Sequence, residues 1–215
     1  MYRPTPVATW TGFYVGGNFG YGWAATDAIA WSVTTASTSY DMKGPTAGAE
    51  IGLNAQMGNW LEGVESDLQW SWQKGNGGNT AALFGSTGGG IPSGIVEADK
   101  ITWYGTTRAR LGIVSGPLLF FGTGGIAYGQ FKFSSNLADT TTFKPTSARI
   151  GWVVGGGVEA MLTRNWTLKA EYLHLDFGGF DDNYFVTIGG VTSIATLHTR
   201  LQNEVLRVGV NYFFR

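Results

Sequence analysis

From Leu201 to Phe214, Leu206, Val208, Val210, Tyr212 and Phe214 fall on one side of an extended chain, and Asn203, Val205, Arg207, Gly209 and Asn211 on the other. Alternation of period two sets one row of side chains against an apolar medium and the other against a polar one. A closing aromatic suits the girdle at a bilayer surface. The pattern recurs along the chain, so the fold must be a sheet whose two faces meet different surroundings.

Composition narrows what those surroundings are. The 215 residues include 34 glycines and no cysteine, with 14% aromatic and 13% charged residues, which suits short strands joined by turns. No segment approaches the roughly 18 consecutive apolar residues of a helical span. Near-neutral hydropathy is compatible with a membrane barrel, because the lumen-facing half of each strand is polar. A formal charge of −1 with no basic stripe excludes nucleic acid as the partner. Without cysteine there are no disulfides and no thiolate metal sites. Met1 to Thr9 is polar and lacks the apolar core of a signal peptide, which reads as a processed chain.

Eight strands are predicted, at about 12–24, 46–56, 63–73, 100–114, 118–133, 147–161, 166–177 and 201–214. In the first, Phe13, Val15, Phe19, Tyr21 and Trp23 oppose Tyr14, Asn18 and glycines. The second sets Ala47, Ala49, Ile51, Leu53 and Ala55 outward; the third does so with Val64, Leu68, Trp70 and Trp72. The fourth is read with Ile101, Trp103, Ala109, Leu111 and Ile113 outward, and the fifth with Phe120, Ile126 and Tyr128. In the sixth and seventh the outward rows are Ile150, Trp152, Val154, Val158 and Ala160, then Trp166, Leu168, Ala170 and Tyr172. Tight turns near 58, 116 and 164 alternate with long segments near 26–45, 74–99, 134–146 and 178–200, as short periplasmic turns and long outer loops do. The expected fold is therefore all-β: an eight-stranded antiparallel up-and-down transmembrane barrel over residues 10–215, preceded by a periplasmic tail, 1–9. A soluble ligand barrel would have to bury the charges of the polar rows in its surroundings, whereas a membrane barrel pairs them in its lumen.

Those inward rows carry Glu50, Glu65, Asp67, Glu159 and Glu171 against Arg108, Arg110, Arg149, Lys169 and Arg207. Counted from the turn end, all but Arg149 fall in one central layer. An eight-stranded barrel is only wide enough for side chains to fill it, so the layer is expected to plug the lumen. The rival expectation is a narrow porin or ion channel for small solutes, with the same charges lining its path.

Trp10, Trp60, Trp103, Trp152, Trp166, Tyr212 and Phe214 sit near strand ends or on outward rows and are expected to anchor the barrel at the membrane interfaces. Glycine-rich segments at Gly75–Gly78 and Gly85–Gly90 lack the sequence and strand-to-helix setting of a phosphate loop. His174 and His198 have no ligand spacing for metal. His174 beside Asp176 resembles part of a catalytic pair, but its outward parity with Tyr172 points it at lipid headgroups. Asp181-Asp182 is too short for a calcium loop, and Trp31 alone makes no sugar platform. No enzyme, cofactor or metal is expected.

Several spaced motifs carry a resemblance across residues 10–214: Trp10-Thr11-Gly12-Phe13-Tyr14-Val15-Gly16-Gly17-Asn18, Gly63-Val64-Glu65-Ser66-Asp67, Gly124-Gly125-Ile126-Ala127-Tyr128-Gly129, Lys169-Ala170-Glu171-Tyr172 and Leu206-Arg207-Val208-Gly209-Val210-Asn211-Tyr212. In these the chain resembles the small outer-membrane β-barrel "porin family" surface proteins of alphaproteobacteria. The resemblance implies an integral outer-membrane location and assembly by the barrel insertion machinery. It also implies contact with outer-membrane lipid and lipopolysaccharide, and a role in envelope integrity and surface contact with an envelope or host partner. Certain relatives tether an amino-terminal tail to peptidoglycan, a role the residues before Trp10 would take.

Overall fold

The computed structural model describes the backbone of residues 9–31, 35–75, 96–97, 100–132, 135–136, 146–188 and 191–215, and side chains within 9–25, 41–75, 101–130, 148–179 and 200–215. Eight long strands form: β1 (Gly12–Trp31), β2 (Thr35–Met57), β3 (Trp60–Ser71), β4 (Lys100–Ser115), β5 (Leu118–Lys132), β6 (Thr146–Met161), β7 (Trp166–Ile188) and β8 (Val191–Phe214). Each pairs antiparallel with its neighbour in sequence. β1 and β8 pair from Phe13–Phe214 to Trp31–Thr196, which closes the sheet into an up-and-down barrel. Closure leaves no free edge in the spanning region, a condition lipid imposes on any sheet that crosses it.

The two faces separate as the alternation requires. Phe19, Leu53, Val64, Leu111, Phe120, Ile126, Ile150, Leu206 and Val208 stand exposed on the outside, while Glu50, Glu65, Arg108, Lys169 and Arg207 are buried inside. Such an inversion would leave a soluble protein coated in hydrocarbon; in a bilayer it places each face in its own solvent.

At one end the strands are joined tightly. Gly58 and Gly116 take left-handed φ values of 62° and 59° in the Gly58-Asn59 and Gly116-Pro117 turns. The third turn is held by Thr163 Oγ1, which accepts from the Trp166 backbone N–H at 3.1 Å.

Two readings of the sequence change here. The segments 26–45 and 178–200 are mostly strand rather than loop: β1 and β2 stay in register to Trp31–Thr35, and β7 and β8 pair on to Ile188–Val191 after a register shift between Asp176 and Gly179. β6, by contrast, leaves β7 at Trp152–Asp176. Among the described residues the wall β7–β8–β1–β2 thus stands taller than the rest. Short pairs at Lys74–Gly75 with β2 and Val96–Glu97 with Ser135–Asn136 lie within the other two long segments. Ile101 is the second change. It was expected outward with Trp103 and is fully buried, because the register of β4 against β5 shifts between Ile101 and Trp103. One extra residue in a strand reverses the parity of everything beyond it. Residues 1–8 of the expected tail, residues 76–95, and the side chains of Trp31, Asp181, Asp182 and His198 lie outside the described residues.

Candidate functional site in the barrel lumen

The lumen is filled in three tiers. At the turn end Trp10, Tyr14, Leu61, Leu119, Phe121 and Phe213 form an apolar and aromatic cluster. At the loop end Ala24, Met42, Ile101, Tyr104, Ala127, Val153, Leu173, Leu175, Phe177, Leu201 and Val205 form another. Between them lies the charge layer. The order along each strand fixes this stacking: on β7, Lys169 and Glu171 precede Leu173, Leu175 and Phe177; on β8, Leu201 and Val205 precede Arg207, and Phe213 follows.

Within the layer every cation is shared. The Arg108 guanidinium bonds Glu65, Asp67 at 3.0 Å and Glu171 at 2.9 Å. Arg207 bonds Asp67 at 2.9 Å and, through Nε, Glu171 at 2.8 Å. Arg110 pairs with Glu159, lies over the Phe121 ring face at 3.9 Å and donates to the Tyr14 hydroxyl at 3.2 Å. That hydroxyl in turn donates to Glu65 at 2.6 Å. Neutral donors add to these pairs: Thr106 to Asp67 at 2.7 Å, Asn211 and Thr167 to Glu159, and Asn18 to Glu50 at 2.9 Å. Buried charges persist only when paired and hydrogen-bonded in this way.

Carboxylate oxygens of Glu50, Glu65 and Glu171 lie within 4.8 Å of one another, a spacing that suits a metal ion. The Lys169 ammonium stands among them, in contact with Glu50 and at 2.9 Å from Glu65 and 3.0 Å from Glu171. A lysine thus fills the place a cation would take, donating a hydrogen bond to Glu65 and lying in ion-pair contact with the other two carboxyl groups.

Glycines make the room. A methyl group on Gly20 would meet Arg207 Cβ at 2.7 Å, on Gly125 Arg108 Cα at 2.7 Å, on Gly157 Glu171 Cβ at 2.8 Å, and on Gly52 the Tyr14 ring at 2.3 Å. Arg207, Arg108, Glu171 and Tyr14 are thus each paired in register with a bare position on a neighbouring strand. Strand glycines mark such close approaches.

The charge-bearing residues read from the sequence are brought together, with one exception. Arg149 pairs in register with Gly129 near the loop end of β6 and is half-buried, apart from the layer. Reasoning from sequence missed the two apolar tiers, although the inward parity of Leu173, Leu175, Leu119 and Phe213 carried the signal.

The interface aromatics divide similarly. Trp166, Tyr212, Phe214 and Phe13 form an outward chain of ring contacts at the turn end, with centroids 5.1 to 5.6 Å apart, and Trp60 is exposed at the same end. Trp152 is exposed toward the loop end, and Trp103 is half-buried opposite Trp70. Trp23 and Tyr172, at 6.3 Å, extend the loop-end girdle. Trp10 departs from expectation. It is 1% exposed and packs edge-on against Phe213 inside the mouth, so it caps the lumen instead of anchoring in lipid. Gly12, with φ of 143°, lets the chain turn in over the opening, and Trp10 shares the inward parity of Tyr14.

Above the loop-end girdle the outer face becomes polar. His174 Nδ1 bonds Glu204, which also accepts from Tyr172. Asp176 accepts instead from Arg200 at 2.7 Å, Gln202 at 3.1 Å and the Gly178 N–H at 2.7 Å, so it does not orient His174.

A closed barrel with a hydrocarbon exterior, aromatic girdles and a paired polar interior defines a transmembrane β-barrel. Residues 4–214 match the family model for the outer membrane protein beta-barrel domain. The chain belongs to that family and is an outer-membrane protein. It is 33% identical over 228 residues to a 31 kDa outer-membrane immunogenic protein of Brucella melitensis biotype 1, covering 98% of this chain and 86% of that one. It is 32% identical to a 22 kDa outer membrane protein of Rhizobium leguminosarum bv. viciae, covering 82% of this chain and 68% of that one. Among solved structures, the outer membrane protein OprG of Pseudomonas aeruginosa aligns with a TM-score of 0.54 at 14% identity, over 95% of this chain and 97% of that one. The outer membrane protease OmpT of Escherichia coli aligns with a TM-score of 0.56 at 10% identity, over 94% of this chain and 97% of that one. At these identities the structures speak to fold alone.

Proposed function

We propose that this protein is a closed structural and surface scaffold of the outer membrane: the lumen is plugged, and the tall wall and outer loops are what it presents. The observation that carries this is the charge layer held between two apolar tiers. An ion crossing the barrel would have to part both tiers and leave buried charges unpaired. The immunogenic name of the Brucella relative supports a surface-exposed loop end. On the same reading the protein works without catalysis, since the side chains of a His–Asp pair on β7 are turned to other partners. Its partners are lipid and lipopolysaccharide around the girdles, the barrel insertion machinery, an envelope or host surface at the loop end, and peptidoglycan where the tail reaches it.

Planar-bilayer recording of the refolded protein tests the reading. Silence is the expected result, with conductance appearing when Arg108 and Arg110 are both replaced by alanine. Steady unitary currents from the unaltered protein would make transport its primary role.

A further inference from the structure

The charge layer does not balance. Glu50, Glu65, Asp67, Glu159 and Glu171 supply five buried carboxyl groups, while Arg108, Arg110, Lys169 and Arg207 supply four buried cations. Arg149, the fifth base expected from the sequence, stands apart near the loop end of β6. Fully ionised, the layer would hold one uncompensated negative charge between two apolar tiers, where an unpaired charge is least tolerated.

The partners identify which carboxyl is in surplus. Glu65, Asp67, Glu159 and Glu171 each bond a guanidinium. Glu50 does not, its nearest guanidinium nitrogen being Arg207 Nη2 at 3.8 Å. Its one close cation, Lys169, is divided among three carboxyl groups. Around Glu50, β1 contributes Asn18, β3 Glu65 and Asp67, β4 Arg108, β7 Lys169 and Glu171, and β8 Arg207.

A second observation concerns Asn18. Its Nδ2 lies 2.9 Å from Glu50 Oε2, while its Oδ1 is buried without a hydrogen-bond partner. Amide oxygen and nitrogen exchange places by a half-turn of the side chain, and the surrounding network decides which way it sits. Turned over, Asn18 would present its carbonyl oxygen to Glu50 at the same distance, as the acceptor for a carboxylic acid O–H.

We propose that the layer is closed by one buried proton held on Glu50, which donates it to Asn18 Oδ1. The layer then reads as four cations against four carboxylates and one neutral acid. The inference rests on the lumen being closed to water, as proposed above, but its test is separate from conductance.

Infrared spectroscopy of the refolded protein at neutral pH reads the proton directly. A protonated-carboxyl C=O stretch, resolved from the carboxylate bands, is expected in the unaltered protein and should disappear in Glu50→Gln. Because glutamine keeps the shape and a donor toward Asn18, that variant should unfold at the same temperature as the parent or higher. Glu171→Gln should also remove the band, because four ionised carboxyl groups then balance four cations, but it should lower the unfolding temperature, since Arg108, Lys169 and Arg207 each lose a partner. No such band in the unaltered protein overturns the proposal without recourse to any variant. So does a band that survives Glu50→Gln, or a loss of stability in Glu50→Gln that depends on added sodium and so marks a bound metal cation in place of the proton.

Discussion

The middle and the loop end of this lumen solve one packing problem by different physics. In the middle, Arg108, Arg207 and Lys169 fill space with side chains whose worth depends on several partners at once. At the loop end, Ile101, Val153, Leu173 and Leu175 fill space with groups that ask only for contact. Both exclude a continuous path, but they fail differently. Losing a member of the first set strands charges on other strands, whereas losing one of the second leaves a local void.

That contrast is open to measurement. Arg108→Ala should show the largest effect, about 3 to 5 kcal/mol lost in denaturant unfolding from refolded micelles, because Glu65, Asp67 and Glu171 all lose a buried partner. An unchanged midpoint would mean the layer is held by something other than its pairs. Leu175→Ala should follow at about 3 kcal/mol, the usual scale of a core cavity; a larger loss than Arg108→Ala would reverse the ranking of the two tiers. Tyr14→Phe, which removes one donor to Glu65 and leaves the ring against Phe213, should cost about 2 kcal/mol in the same assay. Lys43→Ala sets the floor. Its pair with Asp41 is on the outside and open to water, and unfolding should shift by less than about 0.5 kcal/mol.

The middle tier was legible in the sequence because its chemistry conflicts with its surroundings. A charge every second residue, opposite Leu, Ile or Trp, has only one sensible side to face, and Glu65, Asp67, Arg108, Arg110, Lys169, Glu171 and Arg207 all face it. The loop-end tier was illegible for the converse reason. In Tyr172-Leu173-His174-Leu175 the inward leucines sit beside an outward row that is itself mixed, so alternation loses contrast where the membrane ends. The bulge at Ile101 leaves no mark in a two-letter pattern. The hairpins at 26–45 and 178–200 read as loops because their sequences mix apolar and polar residues on both alternating rows and so show no sustained period of two. Trp10 shows the opposite lapse: its parity was informative, and its place at a strand end outweighed it.

The unequal walls bear on how the barrel would come apart under load. The β1–β8 seam runs from Phe13–Phe214 to Trp31–Thr196, whereas β6 and β7 part company at Trp152–Asp176. Pulled sideways, the cylinder would split first along the β6–β7 line at its upper edge, and the junction of its two chain ends would be among the last to tear.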